Sequence, residues 1–356
     1  MIFSLFLLNS LLLTLSLVNF ATIRKPLPAS SVTESINVLL PVRNEEENIE
    51  RVISQLASQE GLVNYKVIVI DDNSEDRTFE IASSLASDRV TVIQAPSPQP
   101  GWLGKVSALN FAFTSIEKAD ITISVDADVH FAPDALSRAA RTLLAHNLDF
   151  ISPYPRQIAL TWAERLAQPL LQWSWMSTLI LRGAEKWPLA STVVCNGQFL
   201  VMKTSSLSAV GGFASVAHKV LDDIELGRSF VSGGFKGAVI DGSSIASTRM
   251  YSSMKEIRAG YGKSLHAAFG SPIGSVIAAL FMVFTGVLPF IYSLNGNLLA
   301  IAALVAIIGS RLISAAASSS RMRDSFLHPA SAAFFIYLLY FSWSNRGKTQ
   351  WKGRTL

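Results

Sequence analysis

Residues 121–131 read ITISVDADVHF, a β-branched run that ends in two aspartates separated by one alanine. Ile, Thr and Val suit a pleated, buried strand, whereas carboxylates need water or a partner. A strand that stops on a pair of acids puts charge at a sheet edge. The pattern recurs upstream: INVLLPV (36–42) runs into Arg43, Asn44 and Glu45, and YKVIVID (65–71) into Asp72 and Asp76. Helical stretches are expected at 77–88 and 104–117, with a further strand, VTVI, at 90–93. Asn44 is positioned to cap a helix whose first turn would carry Glu45, Glu46 and Glu47. Near-continuous apolar strands alternating with helices predict an α/β fold with a mostly parallel sheet covered on both faces. In such sheets ligands bind in the crevice at the carboxyl ends of the strands, where these acids collect. Each cluster alone has an ordinary reading as a cap or a turn. Three on one edge point to a site. Residues two apart on a strand share a face, so Asp126 and Asp128 would both enter the crevice. There they would suit a hard divalent cation, Mg²⁺ or Mn²⁺.

Composition narrows the class. Half of the 356 residues are hydrophobic and only 16% are charged, and the mean hydropathy is +0.36. The net charge of +4 falls short of a nucleic-acid-binding signature, so no nucleic-acid partner is expected. Cys195 is the single cysteine and excludes an intramolecular disulfide; it reads as a small buried residue. The five histidines have no HxxxH spacing, which leaves oxygen ligands for any metal.

The apolar excess sits at the two ends. Residues 1–23 have no Lys or Arg before Arg24 and a poor cleavage site, so they read as an N-terminal anchor rather than a signal peptide. Arg24 and Lys25 then put the next domain in the cytoplasm. That domain is expected over 36–249, followed by an amphipathic interfacial helix at 250–270, apolar helices within 271–345 and a basic tail at 346–356. Three C-terminal crossings (272–292, 297–317, 329–344) would leave the basic tail outside, so one, the short 329–344 stretch, is read as not spanning. The expected location is the cell membrane, multi-pass, with the catalytic domain cytoplasmic.

The ordered series PVRNEEENI, VIVIDDNSEDRT, GWLGKVSALN, ISVDADVHFAPDAL, NGQFLVM, VGGF and LDDIELGR resembles the membrane-bound inverting nucleotide-sugar glycosyltransferases of family 2, which have the GT-A fold. The likeness runs over about residues 36–268. It implies that Pro41 to Glu45, Arg43 included, line a uridine pocket, and that Asp72 accepts a hydrogen bond from the base. Lys105 would meet the diphosphate, with Gly101 and Gly104 allowing close backbone approach. Asp128 would touch the metal, and Asp126 the metal or the nucleotide. Asp223 would be the catalytic base and Asp222 a supporting acid. Asn196–Phe199 and Gly211–Phe213 would wall the acceptor pocket.

The (Q/R)xxRW motif of many processive members is missing from STRMYSSMKEIRAGYGKS. Arg249 or Tyr261 would have to substitute for it. The departure, with the terminal WKGR, makes the chain similar to the carotenoid- and hopanoid-associated group. The implied partners are a nucleotide-sugar donor, UDP-linked, and a lipid acceptor. Lys352 and Arg354 are read as headgroup anchors. A polysaccharide synthase, a polyprenyl-phosphate sugar transferase and an inactive membrane scaffold remain as alternatives.

Overall fold

The computed structural model describes residues 1–346, together with the backbone of 350–351 and 354–355. Lys352 and the side chain of Arg354 lie outside the described residues. The chain divides into two compact units.

The first unit comprises 24–156 and 183–248 and is built on a seven-stranded sheet. Its strands are β1 (Ile36–Val42), β2 (Tyr65–Asp71), β3 (Val90–Gln94), β4 (Ile121–Val125), β5 (Phe150–Tyr154), β6 (Phe199–Lys203) and β7 (Gly237–Asp241). The order across the sheet is β3-β2-β1-β4-β6-β5-β7. Alternation along each strand feeds two cores. Val38, Leu40, Val67 and Val69 pack under the helices Ile49–Ala57 and Ala135–Ala145. Leu39, Ile68 and Ile70 face the helices Gly104–Ser115 and Asp222–Ser232.

The sheet is mixed rather than mostly parallel in its second half. β1 pairs parallel with both β2 and β4, and β2 with β3, but β6 runs antiparallel between β4 and β5. That reversal matters for the site. The register sets Val125 against Phe199, so the loop entering β6 arrives at the edge where β1, β2 and β4 end.

The second unit comprises 1–23, 157–182 and 249 onward and is helical. Among the described residues, four of its helices are long and apolar enough to cross a membrane: Ile2–Thr22, Pro272–Leu294, Leu298–Ala317 and Met322–Ser344. The last starts seven residues earlier than the apolar run 329–344 suggests, because Met322–Leu327 forms a 3₁₀ segment ahead of the α-helix. Small and polar residues join these helices, as interhelical packing in an apolar setting requires. Ser16 and Ser310 share a hydrogen bond of 2.8 Å, and Trp173 Nε1 donates to the same Ser310 at 2.9 Å. Gly286 lies so close to Ala332 that an added Cβ would come within 2.6 Å of its methyl group. The helix Met254–Ala268 starts at a Ser253 cap that accepts from the Glu256 N–H.

Candidate functional site

The edge formed by the carboxyl ends of β1, β2 and β4 carries the acids, but the local structure differs from a simple strand extension. β4 ends at Val125, and Asp126–Asp128 form a tight turn leading into a short strand, Val129–Phe131. Two apolar residues then anchor the turn: Ala127 and Val129 are buried in the core. Their carbonyls accept from Arg51, Nη2 to Ala127 O at 3.0 Å and Nη1 to Val129 O at 2.8 Å. The Asp128 carboxylate accepts from the Thr248 hydroxyl at 3.1 Å. Burial, then the charge of Asp126, pushes the Asp128 carboxyl up to about 6.

Behind this turn the loop after β1 and the loop after β2 clamp each other. Arg43 is buried, and its guanidinium donates to the carbonyls of Asp72 (2.8 Å) and Asn73 (2.6 Å) and to Glu75 Oε1 (2.9 Å). Asn44 sits in the left-handed region at φ 52° and accepts from the Glu75 N–H at 2.8 Å. The expected helix at Asn44 therefore begins later, at Ile49, because Asn44 and Glu45 are committed to this clamp. The Glu45 N–H donates to Thr78 Oγ1 at 2.7 Å, and its carboxylate accepts from Asn48 at 3.0 Å while its charge reaches Asp128 and Arg51. Asp72 is buried, with its N–H on Val42 O at 2.8 Å. Pro41 lies within β1, opposite Ile70. Arg43 thus braces the two loops against each other, while the Glu45 charge reaches the acidic turn.

Lys105 links the two halves of the edge. It stands at the start of the Gly104–Ser115 helix, next to Gly101, which holds φ 83°. Its ammonium pairs with Asp126 at 2.5 Å and lies 3.5 Å from Gly197 O. Burial works against its charge, but Asp126, Asp222 and Asp223 outweigh it and hold the lysine above its ordinary range.

On the far side, Asp222 and Asp223 open the Asp222–Ser232 helix, the end at which the macrodipole favours anions. Asp223 Oδ2 accepts from the Gly197 N–H at 2.7 Å, and Oδ1 accepts from the Ile224 N–H at 2.8 Å. Burial, then Asp222, lifts the Asp223 carboxyl to about 6, against the pull of Lys105 and these two N–H groups. Buried Tyr154, at the end of β5, and Cys195 feel the same charge, and burial with Asp223 raises both.

The structure therefore brings together Glu45, Lys105, Asp126, Asp128, Asp222 and Asp223. Other expected residues do different work. Phe213 packs edge-on against Phe113 at 5.7 Å in the core, and Phe199 against Phe131 at 5.3 Å, so neither walls an acceptor pocket; Gly197 does reach the site. In the helical unit, Arg249 forks onto buried Glu164 at 3.0 and 3.1 Å, and Tyr261 donates to Gln168 at 2.8 Å. Arg51 and Thr248 were not singled out by sequence. Their contacts with the turn span 76 to 120 residues, and nothing in the spacing announces them.

A metal would have to fit this donor set. Two carboxylates two positions apart repel each other, which adds to burial in raising Asp128, and a hard cation relieves that repulsion. Among the described residues no group of three or more His, Cys, Asp or Glu is arranged to hold a metal ion. The turn fits a divalent cation that takes its remaining ligands from phosphate oxygens and water, the usual habit of Mg²⁺.

Residues 37–210 match the family described as Glycosyl transferase family 2. A 4,4'-diaponeurosporenoate glycosyltransferase of Staphylococcus haemolyticus is 27% identical over 223 residues, 62% of this chain. That match spans 57% of the relative's length, a little over half. The protein of the same name from Staphylococcus aureus (strain USA300) is 23% identical over 90% of this chain and 88% of its own. Among solved structures, a mannosyltransferase from Pyrobaculum calidifontis in complex with GDP-Man and Mn²⁺ superposes with a TM-score of 0.58 at 17% identity. That superposition covers 99% of this chain and all of that one, and the likeness shows a shared GT-A-type fold.

Proposed function

We propose, for a chain whose residues 37–210 are a glycosyl transferase family 2 domain, an inverting hexose transfer. The donor would be a nucleotide sugar, UDP-linked, and the acceptor an apolar lipid at the cytoplasmic membrane face. The observation that carries this reading is Asp223, a buried carboxylate pushed up to about 6 and oriented by two backbone N–H groups. A general base works best with a pKa near the working pH. Lys105 connects that base to the acidic turn, so acceptor activation and diphosphate binding share one cation.

The roles follow from the chemistry. The clamp of Arg43 and Asn44 on the β2 loop presents Asp72 and the Pro41–Glu45 segment to the base and ribose. Lys105, at a helix start, neutralises diphosphate charge. Asp126 and Asp128 would hold a divalent cation, Mg²⁺ or Mn²⁺, which when bound offsets the charge that builds on the departing diphosphate; the Mn²⁺ complex of the mannosyltransferase is compatible with this. Asp223 takes the acceptor's O–H proton as that oxygen bonds to the anomeric carbon. The bond from the anomeric carbon to the diphosphate breaks, and its electron pair leaves with the nucleoside diphosphate. Asp222 raises the basicity of Asp223 by like-charge repulsion. For a lipid carboxylic acid the same proton transfer applies, because apolar surroundings raise that acid's pKa.

A lipid acceptor is supported by the four apolar helices and by the names of the Staphylococcus relatives. The test is transfer of labelled sugar by membranes containing the full chain. Label in organic-extractable lipid supports the proposal; label in polymer overturns the acceptor class. Asp223→Asn should abolish transfer while nucleoside diphosphate binding persists, and full activity in that variant would show the base to be misassigned.

A further inference from the structure

The helical unit contains a polar cleft built from positions that an apolar bundle would fill with hydrocarbon. Gln168 and Gln172 line it from the Trp162–Thr178 helix, Arg311 from Leu298–Ala317, and Arg321 and Asp324 from the following turn. Its cavity volume is about 10 Å³, room for one water-sized group such as a single oxyanion oxygen. Arg311 is 2% exposed and Gln168 1%. The Nη1 of Arg311 and the Nε2 of Gln168 have no hydrogen-bond partner among the described residues. Gln168 has its oxygen occupied by Tyr261, so its orientation is set and the spare amide N–H₂ is a donor.

The charges do not balance either. Asp324 is the acid that faces Arg311, yet its Oδ1 already accepts from Arg165 at 2.8 Å, and Arg321 stands 4.0 Å from its Oδ2. Three guanidiniums thus share one carboxylate. An uncompensated buried guanidinium is costly, and so is an unused buried amide donor. Water would satisfy the donors and leave the charge. An oxyanion satisfies both. Two of the lining segments belong to helices long and apolar enough to span a membrane, where an anion arrives attached to an apolar tail.

We propose that this cleft binds the acidic headgroup of a membrane lipid, its oxyanion held by Arg311 and Gln168. The inference rests on reading these helices as membrane spans and is independent of the sugar-transfer chemistry.

The experiment uses the full chain, purified in neutral detergent and placed in nanodiscs of phosphatidylcholine with or without phosphatidylglycerol. Lipid retention is read by native mass spectrometry and stability by Tm, with inorganic phosphate alone as a separate arm. Phosphatidylglycerol should be retained and raise Tm by about 2–4 °C, and inorganic phosphate should not. Arg311→Gln should lose both effects. Gln168→Glu keeps an acceptor for Tyr261 while replacing the spare donor with a carboxylate; it should also lose the lipid-dependent shift, and it carries the test if Arg311→Gln fails to fold. Undiminished retention in a folded variant overturns the proposal, as does an equal shift from inorganic phosphate. A chain that stays monodisperse without detergent would refute the membrane reading instead, an outcome separate from both.

Discussion

Two pairs of acids occupy the sheet edge, and they are built in opposite ways. Asp126 and Asp128 sit in a turn whose backbone is gripped from outside by Arg51, with Thr248 on one carboxylate. Asp222 and Asp223 sit at a helix start, and Asp223 is gripped through its own oxygens by the N–H groups of Gly197 and Ile224. Both pairs contain one acid lifted to about 6, by burial first and by the neighbouring acid second. The lysine between them pairs directly with Asp126. The first arrangement leaves carboxylate oxygens open to an outside cation while fixing where they stand. The second fixes the carboxylate itself and suits a group that must present one lone pair to one proton.

The sharpest way to break this comparison is Asp223→Asn. If the helix-start pair is the base, transfer falls by about 10²–10⁴-fold with the affinity for nucleoside diphosphate retained, as read by isothermal titration calorimetry. In the parent protein, log kcat/KM should fall with unit slope below about pH 6, because the base works only when ionised and its folded pKa is raised to about 6. The stability linkage has the opposite sign. A carboxyl raised in the folded state contributes stability that is present below its unfolded value of 3.8 and is lost as pH rises through about 6. A flat activity profile from pH 5 to 8 would sink the assignment of Asp223.

Lys105→Met tests the connection between the pairs. It removes diphosphate neutralisation and also the charge that lowers Asp223. Activity should drop by about 10²-fold, on the scale of losing one charge-stabilising contact, and the acid limb of the remaining activity should move to higher pH. Loss of activity with an unmoved limb would disconnect the lysine from the base. Arg51→Gln should have a smaller effect, about tenfold, expressed as a higher requirement for divalent cation with KM for acceptor unchanged. The side chain donates to the carbonyls on either side of Asp128, and to Asn48 and Gln55 on its own helix, and acts as a positioning residue.

Much of this edge was legible in the sequence, for a physical reason. A strand's alternation and its abrupt end on polar residues are local, so β1, β2 and β4 and the acids that follow them stand out. Strand direction is not local. FLVMK at 199–203 reads the same either way, and only its pairing with β4 and β5 shows that it runs antiparallel. The Trp162–Thr178 helix was equally hard to place with the apolar helices, because Glu164, Arg165, Gln168 and Gln172 look solvent-facing until their partners are known. Glu164 is fully buried under Arg249, and Arg165 reaches Asp324 across 159 residues. Local sequence makes Asn44 look like a helix cap because the clamp that competes for it lies 31 residues away in Glu75.

The mildest test is also the most specific to the geometry of the second pair. Gly197 donates its N–H to Asp223 and its carbonyl lies 3.5 Å from the Lys105 ammonium. A Cβ at this position would stand 3.2 Å from Lys105 Nζ and 3.3 Å from Asp223 Cβ. Both groups would have to give way by a few tenths of an ångström, while the N–H that orients Asp223 remains. Misplacing a catalytic group by 1 Å costs about 10²-fold, so Gly197→Ala should lower kcat by about three- to tenfold. The metal requirement should stay put, since the acidic turn is gripped independently by Arg51. An unchanged kcat would show that the base tolerates displacement and that its N–H partners serve the helix start rather than the reaction. A change confined to the metal requirement would mean that the two pairs move as one body through Lys105, and the contrast drawn between them would fail.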